Sequence, residues 1–353
     1  MNHAMNKVEG VMSIGGNAGL MGVKFVNNNV KTYIGSVVGP ELAKFLGELD
    51  LSDDHYEPSA DDVTHLIMEY KANSQWGEFS SPRANRFIVH CDDINSRLAS
   101  LEWMSKALSK EKRWDRLVLA GMHLLEGESP EFRTSRMKEV LKAIGKTEID
   151  AIHLELASIG DTGFLKQLAS VMLPKVHSTG MNEQELGDLY VALDGPKYAD
   201  VEDTHALFKD PTPDTVVQAI KHLFKYTREQ KKDTPFGRVH FHSLKFHIIA
   251  TDSTRTPWAH PAYALAQGSL VATLQSCDFF DSPVDYGQLF LPFTAFTDAK
   301  NVDYSAEKPI SCWTEDTLTI CIVPVMVCKV PVKTVGLGDA ISAMGLVSHA
   351  VSS

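Results

Sequence analysis

The hydrophobic positions of residues 92–353 follow a repeating pattern of helical and extended segments. Apolar side chains at helical spacing predict helices over residues 94–109, 130–144, 165–172, 214–230 and 261–274, and a final helix near the C-terminus. The helix over 130–144 has the clearest start, with Ser129 suited to the N-cap and Pro130 to the first turn. Apolar, β-branched runs predict strands over residues 116–121, 149–156, 238–250, 309–314 and 318–330. This alternation predicts an α/β fold, with a mostly parallel central sheet and helices on both faces.

The first ninety or so residues show a different pattern. Residues 11–25 combine a glycine-rich turn with a helix, residues 32–38 are extended, and Gly39-Pro40 precedes a helix through residue 49. Residues 50–62 are acidic and loop-like, and two predicted strands, 63–70 and 86–90, flank a polar span. We interpret residues 51–91 as a lid-like β segment. It would separate the start of a large α/β domain (1–50) from the main part of that domain (92–353).

Composition and charge limit the class of partner. Hydrophobic residues make up 44% of the 353 positions and charged residues 22%, as in an ordinary soluble enzyme. The formal net charge of -11 argues against nucleic-acid and membrane-surface partners, because an acidic chain repels phosphate backbones and anionic headgroups. It does not argue against a small anionic ligand, since backbone amides and a few local cations can bind phosphate.

Cysteine spacing and the apolar runs give two further expectations. The five cysteines form no CxxC pair, which argues against a structural zinc site and a dense disulfide framework. Cys321 and Cys328 lie in an apolar stretch, so we expect buried thiols there. The alternative that two of the five cysteines form one disulfide stays open. The polar start lacks the apolar core of a signal peptide, and the most apolar run, 318–332, is broken by two prolines and a lysine. We therefore expect no signal peptide or transmembrane segment, and the sequence leaves the compartment undetermined.

A glycine turn that leads into an apolar helix is the strongest local signal of chemistry. It comprises Gly336, Leu337, Gly338 and Asp339. Glycines let the backbone approach a ligand closely, and the free amides at a helix start point at an anion. Asp339 could take a proton from an attacking hydroxyl while these amides stabilise charge on a transferred phosphoryl group. The alternative is an ordinary N-cap on a glycine turn, to which the pattern alone gives about equal weight.

Two other positions are suited to contact with a substrate. Gly15, Gly16 and Asn17 precede an apolar helix, where they could hydrogen-bond sugar hydroxyls or form a plain Asn-capped turn. His123 follows the strand predicted over residues 116–121. Ligands of open parallel sheets bind beyond the carboxyl ends of strands, so His123 is a candidate for a substrate hydroxyl.

Two acidic motifs offer carboxylates for a metal ion. Glu155 lies near the end of a predicted strand, and Glu185 belongs to the segment Asn182-Glu183-Gln184-Glu185. Carboxylates near phosphates suit Mg²⁺, which takes oxygen ligands and keeps several waters. For Glu185 the alternative is a solvated helix face.

Histidines and arginines give weaker signals. His240 and His242 alternate along one predicted strand face, and two histidines at that spacing could bind a metal. No third ligand is spaced to complete a zinc set, so packing or hydrogen bonding is favoured for them. Arg83 and Arg86 on the lid-like segment could close over a phosphate or form surface ion pairs, and the sequence favours neither.

Taken in order, these motifs resemble the ADP-dependent glucokinase family in its animal form. The matching segments are IGGNA at 14–18, GSVVGP at 35–40, EY at 69–70, ANRFI at 84–88, GMHLLEG at 121–127, HLELAS at 153–158, GMNEQEL at 180–186, RVHFHSLKFH at 238–247 and KTVGLGDAIS at 333–342. Each segment is a weak signal alone, but nine of them in the family's order are not expected by chance.

The resemblance implies a ribokinase-like, nucleotide-binding large domain with a small β lid. It implies transfer of the β-phosphoryl of ADP to the 6-hydroxyl of D-glucose, which gives AMP and glucose 6-phosphate, with Mg²⁺ as cofactor. The small-molecule partners would be glucose and ADP, and we expect a monomer.

The resemblance also assigns roles to individual residues. Asp339 would be the general base. The anion hole and nucleotide site would involve Gly336, Leu337, Gly338 and Arg86. The magnesium-associated positions would be Glu155, Glu185 and Asp339, the first two acting through water, and glucose would meet Gly15, Gly16, Asn17 and His123.

The start of the chain departs from the family pattern. In the family, a first core strand with a sugar-binding polar residue and the first lid pieces precede IGGNA, whereas here only residues 1–13 stand there. Animal members also carry an N-terminal secretory or membrane-targeting stretch. We therefore expect the part of the large domain within residues 1–50 to be incomplete relative to the family, which would expose a sheet edge and weaken the lid.

Three other functions stay open. An ADP-dependent kinase of fructose 6-phosphate would need basic residues near the sugar, and none is evident near residues 15–18. An ATP-dependent relative is disfavoured, because HLELAS and GMNEQEL resemble the ADP-using branch. A chain without the N-terminal strand and lid part could bind ADP or sugar with impaired catalysis.

Overall fold

The computed structural model describes residues 12–49, 51, 54–71, 73–81, 85–89, 92–198, 203–280, 282–292, 307–331 and 335–349. The α-helices are α1 (Asn17–Val26), α2 (Pro40–Gly47), α3 (Leu101–Leu108), α4 (Pro130–Ile144), α5 (Thr162–Met172), α6 (Glu183–Ala192), α7 (Thr204–Leu207), α8 (Pro213–Gln230), α9 (Pro261–Cys277) and α10 (Leu337–Val347). Short 3₁₀ turns cover Met122–Gly127, Leu173–Lys175 and Tyr286–Gln288.

The strands fall into one large sheet and several small pairs. The large sheet contains β7 (Arg113–Leu119), β8 (Glu148–Glu155), β9 (Ser178–Asn182), β10 (Arg238–His242), β11 (Phe246–Asp252), β13 (Ser311–Glu315) and β14 (Leu318–Pro324). The small pairs are β1 (Val37–Val38) with β2 (Glu57–Pro58), β3 (Leu66–Tyr70) with β6 (Asn85–Val89), β4 (Gln75–Trp76) with β5 (Phe79–Ser80), and β12 (Leu289–Phe290) with β15 (Val327–Cys328).

The large sheet has the order β13-β14-β11-β10-β9-β8-β7. The neighbours from β7 to β10 run parallel, and β10, β11, β14 and β13 follow as antiparallel neighbours. The main core packs helices α4, α5, α6 and α8 on one side of this sheet, through residues such as Leu154, Phe164, Leu186, Leu223 and Phe241. The predicted α/β fold is confirmed, and the sheet is mixed.

Several predicted elements were wrong in their extent, among them the run predicted over residues 318–330, which is divided into β14 and β15. Residues 238–250 were expected to form one β-rich run, but Ser243 turns the chain between β10 and β11, and its Oγ accepts hydrogen bonds from the amides of Lys245 and Phe246. The helix predicted over 94–109 begins only at Leu101, because Leu98 takes a left-handed conformation with φ 49°. Strand β9 was missed as a strand, since its sequence, STGMN, carries little β signal.

Within residues 51–91, β3 and β6 form a two-stranded sheet apart from the large one. Strands β3 and β6 pair antiparallel, with Glu69 opposite Arg86. The apolar side chains of strands β3 to β6 are largely exposed: Phe87 retains 59% of its accessible surface and Trp76, the last residue of β4, 84%. Arg83 lies outside the described residues, as does the side chain of Asn85.

The expectation of free buried thiols was wrong for Cys321 and Cys328. Cys321 pairs with Cys312, which lies directly opposite it on the β13–β14 hairpin, and Cys328 pairs with Cys277 at the end of α9. Pairing depends on which strands become neighbours, so spacing along the chain could not show it. Among the described residues, no helix combines the length and the apolar character needed to cross a bilayer.

The N-cap predicted for helix α4 can be tested by mutation. Ser129 is its N-cap, and the Ser129 Oγ accepts a hydrogen bond from the Phe132 amide at 3.2 Å. We expect Ser129→Ala to lower the free energy of unfolding by about 1 kcal/mol, because one amide at the helix start loses its partner. Urea unfolding followed by circular dichroism measures this. Ser135→Ala, on the exposed face of the same helix, is the control, and an equal loss in both variants would contradict the cap.

Candidate active site

The parallel strands bring several predicted residues to one edge of the sheet. Strand β8 ends at Glu155 and β10 at His242. Strand β9 ends at Asn182, where α6 begins, and Glu185 lies in the first turn of that helix. Glu155 is level with Gly180 of β9, and Asn182 is level with His242. In an open sheet this carboxyl edge is where ligands bind.

The glycine turn before α10 has the conformation that its sequence predicts. Gly336 is the N-cap in a left-handed conformation with φ 68°, and a Cβ there would lie 2.6 Å from the Leu20 Cδ1. Both the backbone and the packing therefore require glycine. Helix α10 begins at Leu337, so Gly338 and Asp339 are its second and third residues, where amide groups lack partners within the helix. The alternative that Asp339 is itself the N-cap is wrong.

The imidazole of His242 packs against the glycine turn at the start of α10. A Cβ on Gly338 would lie only 3.0 Å from the His242 Cε1, so the helix start approaches the imidazole as closely as a bare glycine allows. The His242 Nε2 is 4.0 Å from the Glu155 Oε1. Burial acts to lower the pKa of His242, but its interactions with Glu155 outweigh burial and raise it. Sequence analysis favoured a packing role for His242 and did not place it among the site residues.

A buried chain of hydrogen-bonded side chains fixes the position of Glu155. Its Oε2 lies 2.8 Å from the His153 Nε2, and the His153 Nδ1 lies 2.6 Å from the Ser178 Oγ. All three residues are buried, and a Cβ on Gly180 would fall 2.3 Å from the Glu155 Oε2. Burial acts to raise the pKa of Glu155, but the interactions with His153 and His242 prevail and lower it. Glu155 is therefore a fixed, ionised carboxylate.

Glu185 has a structural role that the sequence analysis did not recognise. It forms a capping box with Asn182: the Asn182 Oδ1 accepts from the Glu185 amide at 2.9 Å, and the Glu185 Oε2 accepts from the Asn182 amide at 2.9 Å. Burial raises the pKa of Glu185 to about 7, assisted by the charges of Glu155 and Asp339. The alternative of a solvated helix face is wrong. The N-x-x-E spacing was the signal that could have shown the cap.

Asp339 connects the two ends of the chain. Asn17, the first residue of α1, lies beside the Asp339 carboxylate. Burial raises the pKa of Asp339 to about 6, and the charge of Glu155 adds to this effect. Gly15 and Gly16 are exposed just before Asn17, with Gly16 as a left-handed N-cap at φ 72°. The structure thus brings the first and last predicted motifs together.

The three carboxylates of Glu155, Glu185 and Asp339 share one electrostatic environment, since the charge of Glu155 raises the pKa of both Glu185 and Asp339, and the charge of Asp339 raises that of Glu185. Within the described ranges, however, no three His, Cys, Asp or Glu side chains converge closely enough to hold an ion directly. The arrangement can place negative charge beside the free amides of α10. It suits a cation that keeps its waters rather than one enclosed by side chains.

The remaining predicted residues lie in less buried positions. His123 is half-buried in the 3₁₀ turn that follows β7, after the left-handed Gly121. Arg86 is exposed on strand β6. His123 therefore belongs to the same carboxyl edge as Glu155, whereas Arg86 belongs to the hairpin surface.

Comparison with known proteins agrees with this geometry. Residues 2–348 match the family described as ADP-specific phosphofructokinase/glucokinase conserved region. The chain is 33% identical to the ADP-dependent glucokinase of Bos taurus, over 94% of this chain and 67% of the relative. It is 32% identical to the probable ADP-dependent glucokinase of Caenorhabditis elegans, over 94% of this chain and 68% of the relative.

Solved structures agree in fold. An ADP-dependent kinase in complex with fructose-6-phosphate and ADPβS has a TM-score of 0.64 at 19% identity, covering 98% of this chain and 82% of the other. A hypothetical ADP-dependent phosphofructokinase from Pyrococcus horikoshii has a TM-score of 0.61 at 16% identity, covering 99% and 81%. The family match over nearly the whole sequence, together with the animal relatives, confirms the resemblance: the chain belongs to the ADP-specific phosphofructokinase/glucokinase family.

Proposed function

We propose that this chain is an ADP-dependent glucokinase that transfers the β-phosphoryl of ADP to the 6-hydroxyl of D-glucose, giving AMP and glucose 6-phosphate. One observation carries the proposal: Asp339 lies among the free amides at the start of α10, with Asn17 of α1 beside it. A base, an anion-binding turn and a polar sugar contact thus meet at one point. The bovine and nematode relatives, which are named as ADP-dependent glucokinases, support glucose as the acceptor.

Asp339 is the proposed general base. A sugar hydroxyl bound beside Asn17 would present its proton to the Asp339 carboxylate as the oxygen attacks phosphorus. A pKa of about 6 leaves this carboxylate mostly ionised at neutral pH, yet more basic than an ordinary aspartate. The backbone at Gly336, Leu337 and Gly338 would stabilise the charge of the transferred phosphoryl group, because the amides are fixed before the reaction begins.

Mg²⁺ fits the residues present. Burial, together with the charges of Glu155 and Asp339, raises the pKa of Glu185 to about 7, which supports a cation bound nearby. Glu155 and Glu185 would hold the ion through its waters, in line with the lack of a direct cage in the described residues. When bound, the ion supplies charge neutralisation for the phosphates of ADP.

The proposal also includes residues that would contact glucose and the nucleotide. Gly15, Gly16 and His123 would contact glucose together with Asn17, since Gly15 and Gly16 are exposed beside Asn17 and His123 follows β7 at the same sheet edge. The β3–β6 hairpin would act as the lid within residues 51–91, with Arg86 directed to the nucleotide. Residues 1–50 and 92–353 would form the large nucleotide-binding domain.

The function has a direct test. Purified chain with ADP and Mg²⁺ should form AMP only when glucose is added, and glucose 6-phosphate should appear in equal amount. Replacing glucose by fructose 6-phosphate discriminates the two activities in the family name, and replacing ADP by ATP tests the donor. Binding of ADP without AMP formation under any acceptor would contradict the proposal and favour a binding protein with impaired catalysis.

Asp339 has its own kinetic test. Asp339→Asn should lower kcat by at least about a hundredfold, because the attacking hydroxyl loses its proton acceptor, while the Kd for ADP changes less than threefold. Rapid-quench measurement of AMP and equilibrium titration of ADP give the two numbers. Asp316→Asn, at an exposed turn between β13 and β14, is the matched control. Substantial residual turnover would remove Asp339 from the role of base.

The raised pKa of Asp339 also predicts a dependence of stability on pH. The folded protein retains this proton up to a pKa of about 6, whereas the unfolded chain releases it near 3.8, so stability falls as pH rises from about 4 to 6. Asp339→Asn removes the free-energy cost of burying this ionised carboxylate. Its free energy of unfolding should exceed that of the parent by about 3 kcal/mol at pH 7.5 and by little at pH 4. Urea titrations in EDTA at both pH values measure this, and an equal difference at the two values would disprove it.

A further inference from the structure

A second polar cluster lies at the opposite, amino edge of the sheet. Arg238 is the first residue of β10 and has no accessible surface. Arg116 on β7 lies nearby, and both guanidinium groups stack on the same indole, that of Trp258, at 5.2 Å for Arg238 and 5.4 Å for Arg116. His349, just beyond the end of α10, completes the group.

Part of the hydrogen-bonding capacity of the two arginines is used by the end of α10. The Arg238 Nε donates to the His349 Nδ1 at 2.9 Å and its Nη2 to the Gly345 carbonyl at 3.3 Å. The Arg116 Nη2 donates to the His349 carbonyl at 2.8 Å, and its Nη1 to the Asp115 carbonyl at 2.7 Å. Cations at a helix C-terminus are favourable, so these contacts explain why the arginines point this way.

Apart from the His349 Nε2, three buried donors of the cluster remain without an acceptor among the described residues: the Arg238 Nη1, the Arg116 Nε and the Trp258 Nε1. Each belongs to a side chain of this one cluster. Buried polar atoms in folded proteins almost always have a partner, because an unmade hydrogen bond retains the full cost of desolvation. Three such donors around one indole indicate a missing acceptor rather than three separate defects.

The positive charge of the cluster also indicates that a negatively charged partner is missing. Within the described residues, neither guanidinium has a carboxylate within 4.0 Å. Asp150 attracts Arg116 but is bound by Arg113 at 2.7 Å. Burial, and then repulsion from Arg116, lowers the pKa of Arg238 to about 9; burial and the two arginines lower that of His349 to about 2. The cluster therefore lacks an anion as well as acceptors.

We propose that Arg116, Arg238 and Trp258 form a binding site for a small oxyanion, namely phosphate or the phosphate group of a monoester. Such an anion presents several acceptor oxygens and would satisfy the three donors and the two charges together. Arg116 is only half-buried, so the cluster is open to solvent on the β7 side.

This site is separate from the proposed active site. Arg238 begins β10 and His242 ends it, and four residues of extended chain span about 13 Å. Helix α10 runs between the two, with Asp339 in its first turn and the arginines at its last carbonyls. The inference does not depend on kinase activity.

Titration of the full chain with inorganic phosphate tests the site, with sodium chloride at equal ionic strength as the reference. We expect phosphate to raise the Tm and to change the tryptophan emission, since Trp258 lies against both arginines. Arg116→Gln should weaken the apparent Kd for phosphate by about tenfold or more, the scale of one charge-assisted hydrogen bond. Lys138→Gln, exposed on α4, should leave the Kd unchanged. Repeating the titration with glucose 6-phosphate shows whether a monoester is preferred over the free ion.

The contrary outcomes are distinct. A phosphate response that is the same in Arg116→Gln would place the ion elsewhere, for example at the glycine turn, and no response at all would show that there is no site. A response that appears only after residues 350–353 are removed would make that segment the acceptor and overturn the proposal. If Arg116→Gln does not fold, Trp258→Phe replaces it: this variant should lose the emission change and bind phosphate several-fold more weakly.

Discussion

The close approach of helix α10 to strand β10 is the constraint on which the rest of the structure depends. Two glycines allow it: a Cβ on Gly338 would lie 3.0 Å from His242, and one on Gly345 2.7 Å from His240. Gly336 in turn allows the start of α10 to approach α1, because a Cβ there would lie 2.6 Å from Leu20. Without side chains at these positions, the helix can lie directly on the row of histidines. Its first amides then face the ends of β8 and β9, where Glu155 and Asn182 stand.

This approach has an electrostatic consequence. It buries Asp339 near Glu155 and Glu185, and burial raises the pKa values of Asp339 and Glu185 to about 6 and about 7. His242 offsets part of this repulsion, and His153 fixes the orientation of Glu155. Carboxylates held together in this way destabilise the fold, yet they are what a cation-assisted phosphoryl transfer needs. The site therefore shows the conflict between stability and function that is common in enzymes.

Helix α10 also has polar clusters of opposite sign at its two ends. Its N-terminus faces carboxylates, and its C-terminus receives Arg116 and Arg238. The arginines complement the negative end of the helix dipole, while the amides at the other end are left for a ligand. One helix thereby supplies the anion-binding turn of the proposed active site and the carbonyls that orient the proposed oxyanion site.

The sequence by itself determined the features that depend on near neighbours. The Ser129 cap, the glycine turn at Gly336 and the hairpin of residues 66–89 all follow from spacing, because each is set within a few residues. Nine ordered motifs were enough to indicate the family. What only the tertiary structure decided was convergence: the contact of Asn17 with Asp339, the placing of His242 beneath Gly338, the pairing of the cysteines and the buried arginines around Trp258. These depend on which strands become neighbours and in what register, and that choice is made by packing across the whole chain rather than by any local segment.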